Sequence, residues 1–329
     1  MSLQLITVIA LAFVFDFLNG VHGSSNIVAS MVSSRAFKPW TALSIIGVAE
    51  FIGPFVFGVA VARTVGAQIV NTDIVTLKIL IAALVSCVIW NLFTWILGIP
   101  SSASHGFIGG LIGSVLMGAG DNALHIGGLS KVFIALFGTP IASFAFGFLA
   151  TRLVFQLAQH ASPRINDFFK ESQLVTAVLL ALSQGSNDAQ KAMGVIVLGL
   201  LITHSLPGFS VPLWVVALSA AGMMLGTLSA GARLIRTMGG KFYKIRPVNS
   251  FSAQSGSLLL ILISSFTGLP VSTTQVVSSA IIGSGASERF GKVRWNPVSA
   301  ILISWVLTIP ATMALAAIAY WLLLKIAIR

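Results

Sequence analysis

Two short polar segments, His22-Gly23-Ser24-Ser25-Asn26 and Gln184-Gly185-Ser186-Asn187-Asp188, align without a gap at an offset of 162 residues. A second pair follows in the same order: Gly98-Ile99-Pro100-Ser101-Ser102-Ala103-Ser104-His105 aligns with Gly268-Leu269-Pro270-Val271-Ser272-Thr273-Thr274-Gln275 at an offset of 170 residues. Matched motifs at nearly equal offsets indicate an internal duplication. The sequence therefore predicts a first repeat over residues 1–160, a central cytoplasmic connector over 161–172 and a second repeat over 173–329.

The composition indicates a membrane protein. Hydrophobic residues make up 56% of the sequence and charged residues 8%, whereas a soluble domain has about 25% charged residues. Apolar stretches long enough to cross the hydrocarbon core as helices recur throughout the chain. They include residues 39–62, 74–97, 132–157, 212–231 and 297–324. We therefore expect an all-α, multi-pass protein of the cell membrane, with about five membrane elements in each repeat.

The distribution of basic residues suggests how the repeats are oriented. An odd number of elements in each repeat inverts the second copy relative to the first, and Lys and Arg gather on cytoplasmic loops. The basic loop residues predicted inside are Arg35, Lys38, Arg164, Lys170, Arg233, Arg236, Lys241, Lys244, Arg246, Arg289, Lys292 and Arg294. Segments 120–130 and 204–211 have no Lys or Arg and are predicted outside, as are both termini. Anionic lipid accounts for the net charge of +11 without nucleic acid.

Polar, glycine-rich segments interrupt the apolar pattern at four places, residues 19–26, 98–105, 183–191 and 268–275. Such interruptions need a function, because each unpaired backbone group in hydrocarbon costs several kcal/mol. Interruptions at corresponding places in two repeats are typical of a transporter binding site. We expect broken helices or re-entrant hairpins to meet there, near the bilayer midplane.

The chemistry of these segments suits an anion. A helix that starts after Gly-x-Pro-x-Ser exposes backbone N–H groups and hydroxyls, which bind anions, and a tetrahedral oxyanion accepts hydrogen bonds from every direction. Helix capping alone is the alternative explanation for any single one of these residues. The predicted substrate-binding residues are Ser24, Ser25, Ser102, Ser104, His105, Ser186, Ser272, Thr273, Thr274 and Gln275.

Ionisable residues within a span are costly and therefore suggest function. Asp188 with Asn187 is the predicted sodium site, and Asn26 and Gln190 complete the predicted coupling-ion ligands. Asp188 as a proton carrier is the alternative. Lys191 either neutralises Asp188 across one helical turn or balances the charge of the substrate. The predicted supporting residues, which contacts between helices would also explain, are Asp16, Asn19, His22, Glu50 and Lys191.

These motifs resemble the inorganic phosphate transporter family over nearly the whole chain. Gly185-Ser186-Asn187-Asp188-Ala189-Gln190-Lys191 is similar to the repeated family motif. Asp16-Phe17-Leu18-Asn19-Gly20-Val21-His22 with Asn26-Ile27-Val28-Ala29 resembles its first-half copy, and both Gly-x-Pro-x-Ser hinges match. The resemblance implies symport of phosphate with sodium or protons between two inverted repeats, without a cofactor. The family usually has Asp where this chain has Gly23, and often His where it has Gln184 and Gln275.

These departures keep sulfate open as the substrate, since a fully ionised dianion offers no proton to an acceptor. An anion channel stays open too, because pore linings use the same hydroxyls. An enzyme is not expected, because Cys87 is the only cysteine and no HExxH or Gly-x-Ser-x-Gly element appears. The expected partners are inorganic phosphate or sulfate, sodium or a proton, and membrane lipids, with a homo-oligomer left open.

Overall fold

The computed structural model describes residues 2–34, 37–99, 101–162, 164–230 and 245–327. Within these ranges every regular element is helical, and strand pairing is limited to one isolated bridge between Val70 and Leu124. The residues named above that lie outside the described ranges are Arg35, Pro100, Arg233, Arg236, Lys241 and Lys244.

Eleven α-helices lie in the described residues. The first six are α1 (Leu3–Ser33), α2 (Pro39–Val56), α3 (Ala60–Ala67), α4 (Leu77–Leu97), α5 (Ala103–Gly118) and α6 (Ile126–Leu157). The other five are α7 (Ile165–Ile202), α8 (Leu213–Leu228), α9 (Pro247–Thr267), α10 (Thr273–Glu288) and α11 (Trp295–Ala327). Six of them, α1, α2, α4, α6, α9 and α11, are long and apolar enough to cross a membrane. The prediction of an all-α, multi-pass membrane protein is confirmed.

The predicted single span over residues 39–62 is wrong, because two helices occupy this stretch. The chain leaves α2 after Val56 and passes through Gly58, whose φ of 79° lies in the left-handed region. Glycine adopts this conformation without the steric cost of a Cβ. The chain then re-forms a helix at Ala60.

Two of the four predicted breaks, residues 19–26 and 183–191, are not breaks in the backbone. The helices α1 and α7 continue through them, so the backbone keeps its intrahelical hydrogen bonds and needs no other partner. The glycines serve close packing instead. A Cβ at Gly20 would lie 2.2 Å from the carbonyl oxygen of Met223, and one at Gly185 would lie 2.3 Å from that of Glu50.

The other two breaks are true interruptions with matching geometry. Helix α4 ends at Gly98 with φ 68°, and α9 ends at Gly268 with φ 71°. Helices α5 and α10 follow, each with 16 residues. Such a helix is about 24 Å long, less than the roughly 30 Å hydrocarbon core. The pairs α4–α5 and α9–α10 therefore form helical hairpins, in which the second helix is too short to cross the hydrocarbon core by itself.

Helices of the two halves pack on each other in reciprocal pairs. Helix α6 packs on α10 and α11 packs on α5, while α1 packs on α8 and α7 packs on α2. The two halves are thus interlocked, and each hairpin is held by a long helix of the other half. Helix α7 begins at Ile165, within the predicted connector. The repeat boundaries and the inverted orientation stay predictions.

Candidate functional site

The site is built where the two hairpins meet. Ser102 caps α5, because its Oγ accepts a hydrogen bond from the amide of His105 at 3.1 Å. Ser272 caps α10 in the same way, accepting from the amide of Gln275 at 3.4 Å. The Ser102 hydroxyl donates to Ser272 Oγ at 2.8 Å. Two helix N-termini, each with a partial positive charge, therefore meet at one point, as the hinge motifs predicted.

Helix α7 places a buried ion pair against both hinges. Asp188 and Lys191 are each 1% exposed, and the Lys191 ammonium donates to the Asp188 carboxylate. Lys191 Nζ also donates to Ser104 Oγ at 2.7 Å and to the carbonyl oxygen of Val271 at 2.7 Å. Thr273 Oγ1 donates to Asp188 Oδ2 at 2.5 Å. Of the two roles considered for Lys191, the geometry therefore supports neutralising Asp188.

Helix α1 reaches the second hinge through Asn26. Its Nδ2 donates to the carbonyl oxygen of Thr274 at 3.1 Å. The same helix reaches the first hinge through His22, whose Nε2 lies 3.4 Å from Thr94 Oγ1. Thr94 in turn contacts Ser101 Oγ at 2.7 Å. Sequence reasoning missed Thr94 and Ser101, because a Thr in an apolar helix usually bonds only to its own backbone.

Several buried amide oxygens near the hinges lack a partner. The Oδ1 atoms of Asn26 and Asn187 and the Oε1 atoms of Gln184 and Gln275 have no hydrogen bond within the described part of the chain. Asn187 Nδ2, by contrast, donates to Ser265 Oγ at 3.2 Å. Buried polar atoms are normally satisfied, so these four oxygens can accept from a ligand proton or water, or coordinate a cation.

His105 stands at the first hinge. Its Nδ1 lies 2.7 Å from Ser102 Oγ, and its ring packs edge-on against Phe137. Its Nε2 has no partner within the described residues. The imidazole thus orients the capping hydroxyl and keeps one nitrogen available.

Three predicted substrate-binding residues and one predicted coupling-ion ligand form hydrogen bonds within or between helices. Ser24 and Ser25 donate at 2.6 Å to carbonyl oxygens of α1 itself. Gln190 Oε1 accepts from the amide of Val61 at 2.8 Å, and its Nε2 donates to Ser186 Oγ at 3.0 Å. None of these hydrogen bonds is made to Asp188 or Lys191.

Two buried carboxylates lie outside the hinges. Glu50 accepts from Gln184 Nε2 at 3.0 Å and from the Thr227 hydroxyl, which ties α2 to α7 and α8. Asp16 on α1 faces α8, where a Cβ at Gly222 would lie 3.0 Å from the Asp16 Cβ. Ser219 of α8 lies beside the Asp16 carboxylate, and Nδ2 of the neighbouring Asn19 has no hydrogen bond within the described residues. Thr227 could not be found from sequence, because it lies 177 residues from Glu50.

Gly23 lies directly beside the ion pair. A Cβ built there would be 2.7 Å from Gln184 Nε2 and 3.5 Å from Asp188 Oδ2. Position 23 is thus the place from which a side chain would change the charge around Asp188. The described residues contain no cluster of three or more His, Cys, Asp or Glu side chains that could hold a metal ion.

The sequence model of the phosphate transporter family matches residues 19–316. The chain belongs to the phosphate transporter family. A "Probable low-affinity inorganic phosphate transporter" of Bacillus subtilis is 42% identical over 327 residues, covering 97% of this chain and 96% of the relative. A protein with the same description from Rhizobium meliloti is 39% identical over 320 residues, covering 96% of each chain. The resemblance stated from the motifs is confirmed.

A solved structure described as "The sodium-dependent phosphate transporter" has the same fold. Its TM-score against this family member is 0.90, with 99% of this chain and 100% of that chain covered. The sequence identity is 22%. The likeness therefore supports the arrangement of helices and hairpins over the full length of the chain.

Proposed function

We propose that this family member is a secondary active symporter that carries inorganic phosphate across the cell membrane by alternating access, coupled to sodium or protons. The observation that carries the proposal is the meeting of the α5 and α10 N-termini, with Ser102 and Ser272 2.8 Å apart beside the buried Asp188–Lys191 pair. The descriptions of the Bacillus and Rhizobium relatives support phosphate as the substrate. The inverted relation of the two repeats is part of this proposal.

Phosphate would enter by replacing contacts that the hinges now make with each other. The first amides of a helix have no acceptor within the helix, so α5 and α10 each offer N–H groups at the point of contact. The Ser102 and Ser272 hydroxyls would turn from one another to the anion. Hydroxyls of Ser104 and Thr274, in the first turns of the same helices, extend the donor set. The ammonium of Lys191, bonded to Ser104, adds a positive charge nearby.

Burial of the site supports alternating access. Ser102, Ser272, Asp188 and Lys191 are all at most 2% exposed, so an anion reaches them only after helices separate on one side. Binding an anion together with a cation lowers the uncompensated charge that has to move through the hydrocarbon. The loaded carrier then changes the side to which it opens by rocking one repeat bundle against the other.

Sulfate remains the second candidate, favoured by the uncharged residues Gly23, Gln184 and Gln275. The unpartnered acceptors Gln275 Oε1 and Asn26 Oδ1 favour phosphate instead. An acceptor gains a hydrogen bond from the hydroxyl of hydrogen phosphate, whereas the sulfate dianion has no hydrogen to donate. A buried acceptor left unpaired costs about 1–3 kcal/mol. A channel is less well supported, because the two hinges are in direct contact through Ser102 and Ser272 at 2.8 Å.

The test is uptake into liposomes that contain the purified protein. Labelled phosphate and labelled sulfate are supplied in parallel with an inward sodium gradient, an inward proton gradient or neither, and protein-free liposomes give the background. Saturable phosphate accumulation that a cation gradient drives is the expected result, and the effective gradient identifies the ion. If sulfate accumulates in preference to phosphate, sulfate is the substrate and the proposal of phosphate is wrong. Gradient-independent flux of either anion would overturn symport in favour of a channel.

A further inference from the structure

The surroundings of the Lys191 ammonium have the composition of a cation site. Its three hydrogens point to three oxygens from three different elements: the Asp188 carboxylate on α7, the Ser104 hydroxyl on α5 and the Val271 carbonyl in the hinge before α10. An ammonium has three donors, so none is left over. Carboxylate, hydroxyl and backbone carbonyl oxygens are also the ligands that hard metal cations take.

We propose that Lys191 is a built-in cation, which occupies the place that a sodium ion would take at Asp188. The chain then binds no sodium at that carboxylate. This inference rests on the proposed symport function and excludes coupling through a sodium ion bound at Asp188. It revises the sodium site predicted at Asp188 and Asn187.

The ion pair leaves no uncompensated negative charge at Asp188 for a sodium ion, although unpartnered amide oxygens such as Asn187 Oδ1 lie nearby. Both oxygens of Asp188 already accept, one from Lys191 and the other from Thr273 Oγ1 at 2.5 Å. A sodium ion added beside this carboxylate would lie within a few ångströms of the buried ammonium, where like charges repel strongly because the surroundings are of low dielectric constant. The two cations therefore exclude each other.

The matched positions of the first half offer no charged substitute for the ion pair. The residues that the offset of 162 matches to Asp188 and Lys191 are Asn26 and Ala29, both uncharged. Asn26 Oδ1 has no hydrogen bond within the described residues, but a neutral amide oxygen attracts a monovalent cation less than a carboxylate does. The ion pair of α7 is thus the place where a tethered charge and a free cation compete.

The experiment measures sodium-specific thermal stabilisation of the purified full chain, with sodium chloride and choline chloride compared at equal concentration. Two variants remove the ammonium. Lys191→Ala also leaves space beside Asp188, whereas Lys191→Met fills the space with an uncharged side chain of similar length. A ligand that binds only the folded state raises Tm. Because no transport is measured, failure here is distinct from failure of the proposed symport.

We expect sodium to leave the Tm of the wild type and of Lys191→Met unchanged. Sodium should raise the Tm of Lys191→Ala by about 3 °C or more at saturation, and Asp188→Asn added to this variant should remove the rise. A folded Lys191→Ala protein that does not respond to sodium overturns the inference. If Lys191→Ala does not fold, the response of the wild-type Tm to sodium tests the inference. Sodium-specific stabilisation of the wild type that Asp188→Asn abolishes overturns the inference, and indifference to sodium supports it.

Discussion

The two hinges are nearly identical, whereas the two polar segments that flank them differ. Both hinges have a left-handed glycine, with φ 68° at Gly98 and 71° at Gly268, followed by a capping serine. The polar segment of α7 holds Asp188 and Lys191, but the matched segment of α1 has no charged residue between positions 19 and 29.

This difference separates two tasks. The symmetric hinges supply donors from both halves to one point, as a tetrahedral anion requires. The unsymmetric segments decide the charge of the site, since the only ion pair that faces the hinges within the described residues comes from α7. Variants that alter one half and not the other therefore show whether a residue supplies hydrogen-bond donors to the anion or sets the charge of the site.

The largest effect is expected from breaking the ion pair. Asp188→Asn leaves the Lys191 ammonium buried and uncompensated, so we expect driven phosphate uptake to be abolished and stability to fall by about 3–5 kcal/mol. The double variant Asp188→Asn with Lys191→Met removes both charges and should regain stability without regaining uptake. Thermal unfolding and liposome uptake of the three proteins measure the two effects. Near-normal coupled uptake by Asp188→Asn would show that Asp188 is not needed for driven transport.

Charging the first repeat should have the next largest effect. Gly23→Asp places a second carboxylate near Asp188 and pushes on Gln184, whose Nε2 would lie 2.7 Å from the new Cβ. Gly23→Ala is the matched control, since it adds the Cβ without the charge. We expect uptake by the Asp variant to be lower than by the Ala variant by about tenfold, the equivalent of 1.4 kcal/mol of charge repulsion. Equal uptake by both variants would mean that only space matters at position 23.

The symmetry of the hinges can be broken at their glycines. Gly98→Ala and Gly268→Ala each force a Cβ into the left-handed region, at a cost of about 1–2 kcal/mol. Gly120→Ala is the control, because its φ is 80° and no atom lies within 4 Å of the added Cβ. Gly268→Ala should lose more stability than the control, because its Cβ would also lie 3.0 Å from the carbonyl oxygen of Ala60, but only the hinge variants should lose uptake. A wild-type uptake rate for either hinge variant would argue against hinge function.

The smallest effect concerns Glu288, at the loop end of α10. Burial acts to raise its pKa, but hydrogen bonds from Arg246, Lys292 and Asn249 outweigh burial and hold the pKa below its ordinary value. A carboxyl group whose pKa is lower in the folded than in the unfolded protein stabilises the fold at pH values above its unfolded-state pKa. This contribution disappears as pH falls through the pKa of the folded state. The residue at the matched position of α5 is Gly118, so the contribution belongs to the second repeat alone.

We expect Glu288→Gln to lower stability at pH 7 by less than about 1 kcal/mol, because the group is partly exposed. The difference from the wild type should shrink as pH falls below the ordinary Glu pKa of about 4.3 and vanish once pH is below the lower folded-state pKa of Glu288. Tm measured against pH for both proteins checks this. A difference that persists or grows in acid would contradict the assigned direction.

The sequence was sufficient for the membrane class, the paired hinges and the Asp188–Lys191 contact, because hydropathy, Gly-x-Pro-x-Ser spacing and helical periodicity are local signals. Local signals misjudged α1 and α7, which continue as helices because their backbone hydrogen bonds stay within the helix and their glycines allow close packing of neighbouring helices. Local signals also could not predict that Thr227 contacts Glu50, because the two residues are far apart in the sequence. The Val271 carbonyl, which accepts from Lys191, leaves no signal in side-chain chemistry, since every residue has one.

Equilibrium binding of labelled phosphate should be measured on the purified wild type, the double variant Ser102→Ala with Ser272→Ala, and the Gly120→Ala control. The double variant removes the two hydroxyls at which the hinges meet and should weaken phosphate binding by at least about tenfold, since hydrogen bonds to charged groups contribute about 1.5–3 kcal/mol each. Wild type and control should bind phosphate saturably and alike. Phosphate binding by a folded double variant with wild-type affinity would contradict a substrate site between the hinges.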